Sequence, residues 1–251
     1  MLTNLFLYDS LLQIVGMETT SFLRYSSIIF SKELLNLSLK AKDSSDIGNA
    51  YYKLGLYNDR KGLLDSAYIY YNQSKKIYES LGDSLKTAKN LLNMAIMSSN
   101  AGSYNQSDEI AIEALSFIKN KEEPTLKASA YNCLAINAKL QKEYEEALYW
   151  YQKAIETTID EKNRLIYLGN VANVSRIKGD YAKAIELYEN LLNKEKIIDD
   201  RNTYVRILDN QAYTRWLYAK DPESIKDLKK SLDIRIEENN VNGQITRHAH
   251  L

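Results

Sequence analysis

The chain has 251 residues, 45% of them apolar, and its 33 basic and 33 acidic residues cancel to a formal net charge of zero. That balance excludes the basic excess of a nucleic-acid binder and the acidic excess of a solvating tail. The one cysteine, Cys133, excludes an internal disulfide and a cysteine-based zinc site.

The first eight residues, Met1 to Tyr8, are apolar in tone, but no basic segment precedes them and Asp9 interrupts them. They read as helix rather than signal peptide. No stretch is long and apolar enough to span a bilayer, so the expected location is the cytoplasm. Leu2 to Val15 and Ser26 to Lys42 read as the two helices of a degenerate pair occupying residues 1–47.

From residue 48 a sparse pattern recurs five times. A bulky apolar residue is followed by Gly or Ala, and twelve positions later by Ala or Ser. The pairs are Leu54-Gly55, Met94-Ala95, Leu134-Ala135, Val171-Ala172 and Gln211-Ala212, the last with a polar residue in the first place. Their downstream partners are Ala67, Ser107, Ala147, Ala184 and Ser224, and the units step by 40, 40, 37 and 40 residues. A fixed period of this size is the mark of a solenoid built from one supersecondary unit. Within the unit that starts at Ala128, Tyr131, Leu134, Ala135 and Ala138 share one helical face. Tyr144, Ala147, Leu148, Tyr151, Ala154 and Ile155 share another after the break at Gln141-Lys142-Glu143. The small residues let the two helices approach closely, where larger ones would overpack. Gly62, Gly102 and Gly179 recur in the turns. Asp83 or Ser84 and the pair Asp221-Pro222 read as helix starts. At the far end, residues 239–251 read as the opening of a sixth, truncated unit, so more protein is expected to follow.

Catalytic signals are missing from the sequence. There is no glycine-rich phosphate loop and no Gly-x-Ser-x-Gly elbow. The two histidines, His248 and His250, are two residues apart and cannot share a helix face as a metal pair. Carboxylates are scattered at helix-surface spacing. The expectation is a protein that is not an enzyme and holds no metal or cofactor. Cys133, mid-helix beside Leu134, reads as a small buried apolar residue.

The recurring Leu-Gly pair, aromatic and alanine offsets resemble the tetratricopeptide repeat (TPR) family, whose own period is 34 residues. The resemblance covers five repeats, at about 48–81, 88–121, 128–161, 165–198 and 205–238. It implies an all-α, TPR-type solenoid: antiparallel helix pairs wound into a right-handed superhelix. In that family the first helix of each repeat lines a concave groove. Mapping the groove positions here gives Tyr52, Asp59, Asn132, Lys139, Asn173, Arg176, Arg206, Asp209, Tyr213 and Trp216 as expected ligand contacts. Lys139 and Arg176 fall at the same position of adjacent repeats and suit a carboxylate or an acidic peptide side chain. Tyr213 and Trp216 add aromatic anchors. The family's clamp for C-terminal carboxylates is not matched, because Tyr52 and Leu56 stand where it needs Lys and Asn. The long period and the Tyr-rich helices resemble the sensory TPR regions of bacterial signalling proteins. That implies a regulatory input or dimerisation module that binds a protein or peptide, with no direct nucleic-acid contact. The alternatives are a stand-alone scaffold or adaptor, and a peptide-pheromone receptor of a transcriptional regulator.

Overall fold

The computed structural model describes residues 21–194 and 201–237, with side chains from residue 31 onward. Every described element is an α-helix, and there is no strand among the described residues. In chain order they are α1 (Ser21–Ala41), α2 (Ser44–Arg60), α3 (Leu64–Ser80), α4 (Ser84–Asn100), α5 (Tyr104–Phe117) and α6 (Pro124–Leu140). Then come α7 (Tyr144–Thr157), α8 (Glu161–Lys178), α9 (Tyr181–Leu192), α10 (Arg201–Ala219) and α11 (Glu223–Glu237). The expected helix at Leu2 to Val15 and the expected sixth unit at 239–251 lie outside the described residues.

Helices α2, α4, α6, α8 and α10 begin at residues 44, 84, 124, 161 and 201, at steps of 40, 40, 37 and 40. The residues beyond the family's 34 are absorbed in two ways. Around α2 and α3 they lengthen the helices, 17 residues each, and the connections at Lys61–Leu63 and Leu81–Asp83 stay at three residues. After α5, which has 14 residues, they form the longer connection Ile118–Glu123. The one short step arises where α7 also has 14 residues but only Thr158–Asp160 leads to α8.

Local chemistry sets the ends. The carboxylates of Asp43, Asp83 and Asp160 accept from the backbone N–H of Asp46, Lys86 and Asn163 at 3.0–3.1 Å, satisfying a first-turn donor of α2, α4 and α8. Asp221 does the same for Glu223 at the start of α11. Gly62 and Gly102 turn the chain with φ of 72° and 80°, a left-handed conformation that costs glycine nothing. Lys142 takes the same role after α6 with φ of 67°.

The chain divides into two compact units, residues 1–137 and 138–251, with the division inside α6. In the first unit each helix packs on the next, from α1 through α5. The core there is Leu54, Ala67, Tyr71, Ala88, Leu91 and Ala111, all buried. Gly55 lies against Tyr71 so closely that an added Cβ would stand 2.6 Å from the ring. Ser107 takes the usual alanine place and donates to the Ala95 carbonyl at 2.7 Å, while Asn137 donates to Ser107 at 2.8 Å and to Asp108 at 2.7 Å. Cys133 is buried beside this network, 3.5 Å from Ser107 Oγ, and burial pushes its thiol up. It is a packing residue in that position, not a reactive one.

In the second unit α7 packs on α8, α8 on α9, α9 on α10 and α10 on α11, and α8 also touches α10 directly. Leu165, Ala172, Ala184, Tyr188, Leu191 and Ile207 form its core cluster. The direct approach of α8 to α10 brings together side chains from neighbouring first helices.

Candidate functional site

The side chains of Lys139 (α6), Asn173 and Arg176 (α8) and Arg206 and Tyr213 (α10) lie in the second unit, around the buried tyrosines Tyr151 and Tyr188. The Arg176 guanidinium sits 5.7 Å from the Tyr213 ring centroid, a cation–π distance. The Lys139 ammonium is half-buried, and its pKa is pushed down by that burial and by the charge of Arg206. No carboxylate lies within ion-pair distance of Lys139, Arg176 or Arg206 among the described residues.

Tyr151 and Tyr188 come from α7 and α9 and are fully buried. Neither hydroxyl has a partner in full hydrogen-bond geometry, and Arg176 Nε is likewise buried without one, although Arg176 and Asn173 stand close enough to the Tyr188 hydroxyl to interact with it. Burial pushes the Tyr188 hydroxyl up to about 12 against the opposing pull of Arg176, Arg206 and Asn173 beside it. Burial also pushes Tyr151 up, with Arg206 again opposing. A buried polar atom left unpaired costs about 1–3 kcal/mol. The cluster therefore gathers three cations that have no carboxylate partner, of which Lys139 and Arg206 oppose each other. An oxyanion, above all a carboxylate, would offset the positive charge through charge-assisted hydrogen bonds.

Five of the sequence-predicted contacts are thus brought together: Lys139, Asn173, Arg176, Arg206 and Tyr213. The others are placed elsewhere. Asp209 is a correction: it turns inward and is 5% exposed, with its carboxylate 2.5 Å from Arg235, itself 8% exposed, and hydrogen-bonded to Ser231. The reason is a cation on α11 that reaches back to α10, so Asp209 completes a buried ion pair rather than facing a ligand. Trp216 is half-buried with Lys220 over its ring at 5.4 Å. Tyr52, Asp59 and Asn132 belong to the first unit and are half-buried there. Burial pushes the Asp59 carboxyl up.

Tyr151, which the sequence pattern placed in the packing face alone, and Tyr188, at the same position of the next repeat, are members that the groove positions did not include. The signal that could have found them is chemical. A tyrosine recurring at a core position carries a hydroxyl that phenylalanine would not. Among the described residues no group of three or more His, Cys, Asp or Glu is placed to hold a metal, and no helix is long and apolar enough to cross a membrane.

The same architecture recurs in known proteins. A sequence model of the tetratricopeptide repeat matches residues 128–159. No curated protein sequence matches the chain. Among solved structures, BtubC from P. vanneervenii superimposes with a TM-score of 0.72 at 16% identity, covering 88% of this chain and 94% of that one. The apo form of the quorum sensor NprR from B. thuringiensis gives 0.72 at 16% identity, over 96% of this chain and 73% of NprR. The Rap conjugation gene regulator of plasmid pLS20, solved with the Phr* peptide, gives 0.68 at 17% identity, over 86% of this chain and 59% of Rap. At such identities the likeness concerns the fold. Helices in consecutive pairs, a tetratricopeptide-repeat match at 128–159 and TPR-like neighbours agree on the fold: an all-α array of helix pairs similar to the TPR solenoids.

Proposed function

We propose that the chain is a cytoplasmic, regulatory TPR module that binds an acidic peptide or protein segment at the Lys139, Arg176 and Arg206 cluster. The observation that carries this reading is the set of three cations without a carboxylate partner, gathered around the buried Tyr151 and Tyr188. Such a site is costly to the free protein, and a ligand carboxylate removes the cost. Tyr213, holding Arg176 by its ring, would pack against the body of the peptide.

The peptide-pheromone receptor is the variant that the neighbours favour, since one is described as a quorum sensor and another is bound to the Phr* peptide. In both variants the module is the input part of a signalling protein, with a groove whose occupancy is the signal.

The experiment is a calorimetric or fluorescence titration of the full chain with a panel of short peptides carrying Asp or Glu, set against matched peptides carrying Asn or Gln. Acidic members should bind, and a Lys139→Glu, Arg176→Glu double variant should lose at least tenfold in affinity at unchanged helicity. Equal binding of acidic and amide peptides, or an unaltered affinity in the double variant, removes the basic cluster as the site.

A further inference from the structure

A second basic site lies in the first unit and shares no residue with the Lys139 cluster. Helices α2, α3 and α4 enclose a pocket of about 160 Å³. Its wall includes three lysines, Lys53, Lys86 and Lys89, two tyrosines, Tyr52 and Tyr78, and Asn90. The tyrosines hold the lysine heads in place: Lys89 Nζ is 5.0 Å from the Tyr52 ring centroid, and Lys86 Nζ is 4.6 Å from that of Tyr78. Tyr78 is itself fixed, its hydroxyl donating to the Ser45 carbonyl at 3.0 Å.

The charges do not cancel. Lys86 has Asp83 at 3.3 Å. Lys53 and Lys89 have no carboxylate within ion-pair distance among the described residues. They also oppose each other: burial and the Lys89 charge both push the Lys53 ammonium down. Asn90, 1% exposed on the same wall, donates to the Lys86 carbonyl at 2.9 Å but leaves its Oδ1 without a partner. Buried polar atoms of this kind are normally satisfied.

We propose that this pocket binds the phosphate group of a small ligand. Two uncompensated ammonium groups match a dianion better than a single carboxylate. Lysine heads are compact point charges with three rotatable donors, suited to a tetrahedral oxyanion, while no arginine fork is present for bidentate carboxylate pairing. A volume of about 160 Å³ holds one such group with a small body and leaves no room for a duplex. The shared chemistry is the phosphate dianion, whether free or on a phosphomonoester.

The test is titration of the full chain with inorganic phosphate and, separately, with phenyl phosphate, at constant ionic strength held with chloride. Binding is read by calorimetry and by the rise in unfolding temperature. Tighter binding of phenyl phosphate assigns the site to a phosphomonoester, and equal or tighter binding of phosphate assigns it to the free ion. Both support the site if a Lys53→Met, Lys89→Met variant loses at least tenfold in affinity while Lys76→Met, on the exposed side of α3, does not. Removing two repelling lysines should leave the fold intact, and a melting curve of the variant without ligand confirms that. The Lys139→Glu, Arg176→Glu variant should bind phosphate as well as the parent, which separates this site from the peptide reading. No response to either probe overturns the proposal, as does an equal loss in Lys76→Met.

Discussion

Tyr71 in the first unit and Tyr188 in the second stand at the same place in their repeats. Both are fully buried, and both keep a hydroxyl without a hydrogen bond. What surrounds them differs in sign. Beside Tyr71 stands the carboxylate of Asp59, which adds to the upward push of burial on the phenol. Beside Tyr188 stands Arg176, at the position equivalent to Asp59, and it pulls the other way. The backbone approach differs too: Gly55 faces Tyr71, whereas Ala172 is tolerated in the core cluster with Tyr188. One repeat position thus serves as constant packing, while a single variable position four residues after the small residue changes the sign of the charge beside it. Interior packing admits few solutions, whereas a half-exposed position is free to carry any charge.

The largest expected effect tests the constant half. Tyr71→Ala and Tyr188→Ala should each cost about 3–5 kcal/mol, as large-to-small core changes do. Urea unfolding of both variants reads this, and a loss confined to one would show that the two positions are not equivalent.

A smaller effect separates the two backbones. Gly55→Ala should destabilise by about 1–3 kcal/mol, because its new Cβ would meet the Tyr71 ring at 2.6 Å. Ala in place of Gly inside a helix otherwise gains about 1 kcal/mol. A variant that melts higher than the parent would therefore deny the close approach.

The smallest effects test the variable half. Asp59 has its folded pKa raised by burial, so the folded state holds its proton more tightly than the unfolded chain does. Stability then falls as pH rises through the window just above the ordinary value of 3.8. Asp59→Asn should accordingly melt slightly higher than the parent at pH 7 and lose that gain below the window. Lys139 has its folded pKa lowered by burial and Arg206, so its penalty is fully present below the folded value, hence at pH 7. Lys139→Met should also melt higher, while losing acidic peptides. If instead it melts lower, Lys139 has a stabilising role and the cost assigned to the cluster is wrong.

Much of the scaffold was legible. The steps between repeats, the small residues that let helices meet, the capping aspartates and the left-handed glycines are local rules; the helices keep the same steps, each first helix starting four residues before the repeat start read from the sequence. The partition of charge into structure and site was not legible. Asp209 and Arg206 are three residues apart on α10, and the groove positions implied by the TPR resemblance include both. Asp209 turns inward because Arg235, far along the chain, supplies a buried partner. The hydroxyls of Tyr151 and Tyr188 gain meaning only from the guanidinium groups that arrive from α8 and α10.

By itself, then, the sequence determined an all-helical repeat array, since periodicity and small-residue spacing act within one or two turns of chain. Only the tertiary structure decided which charges are spent inside and which stay uncompensated. An ion pair depends on distance in space, and residues remote in sequence set that distance.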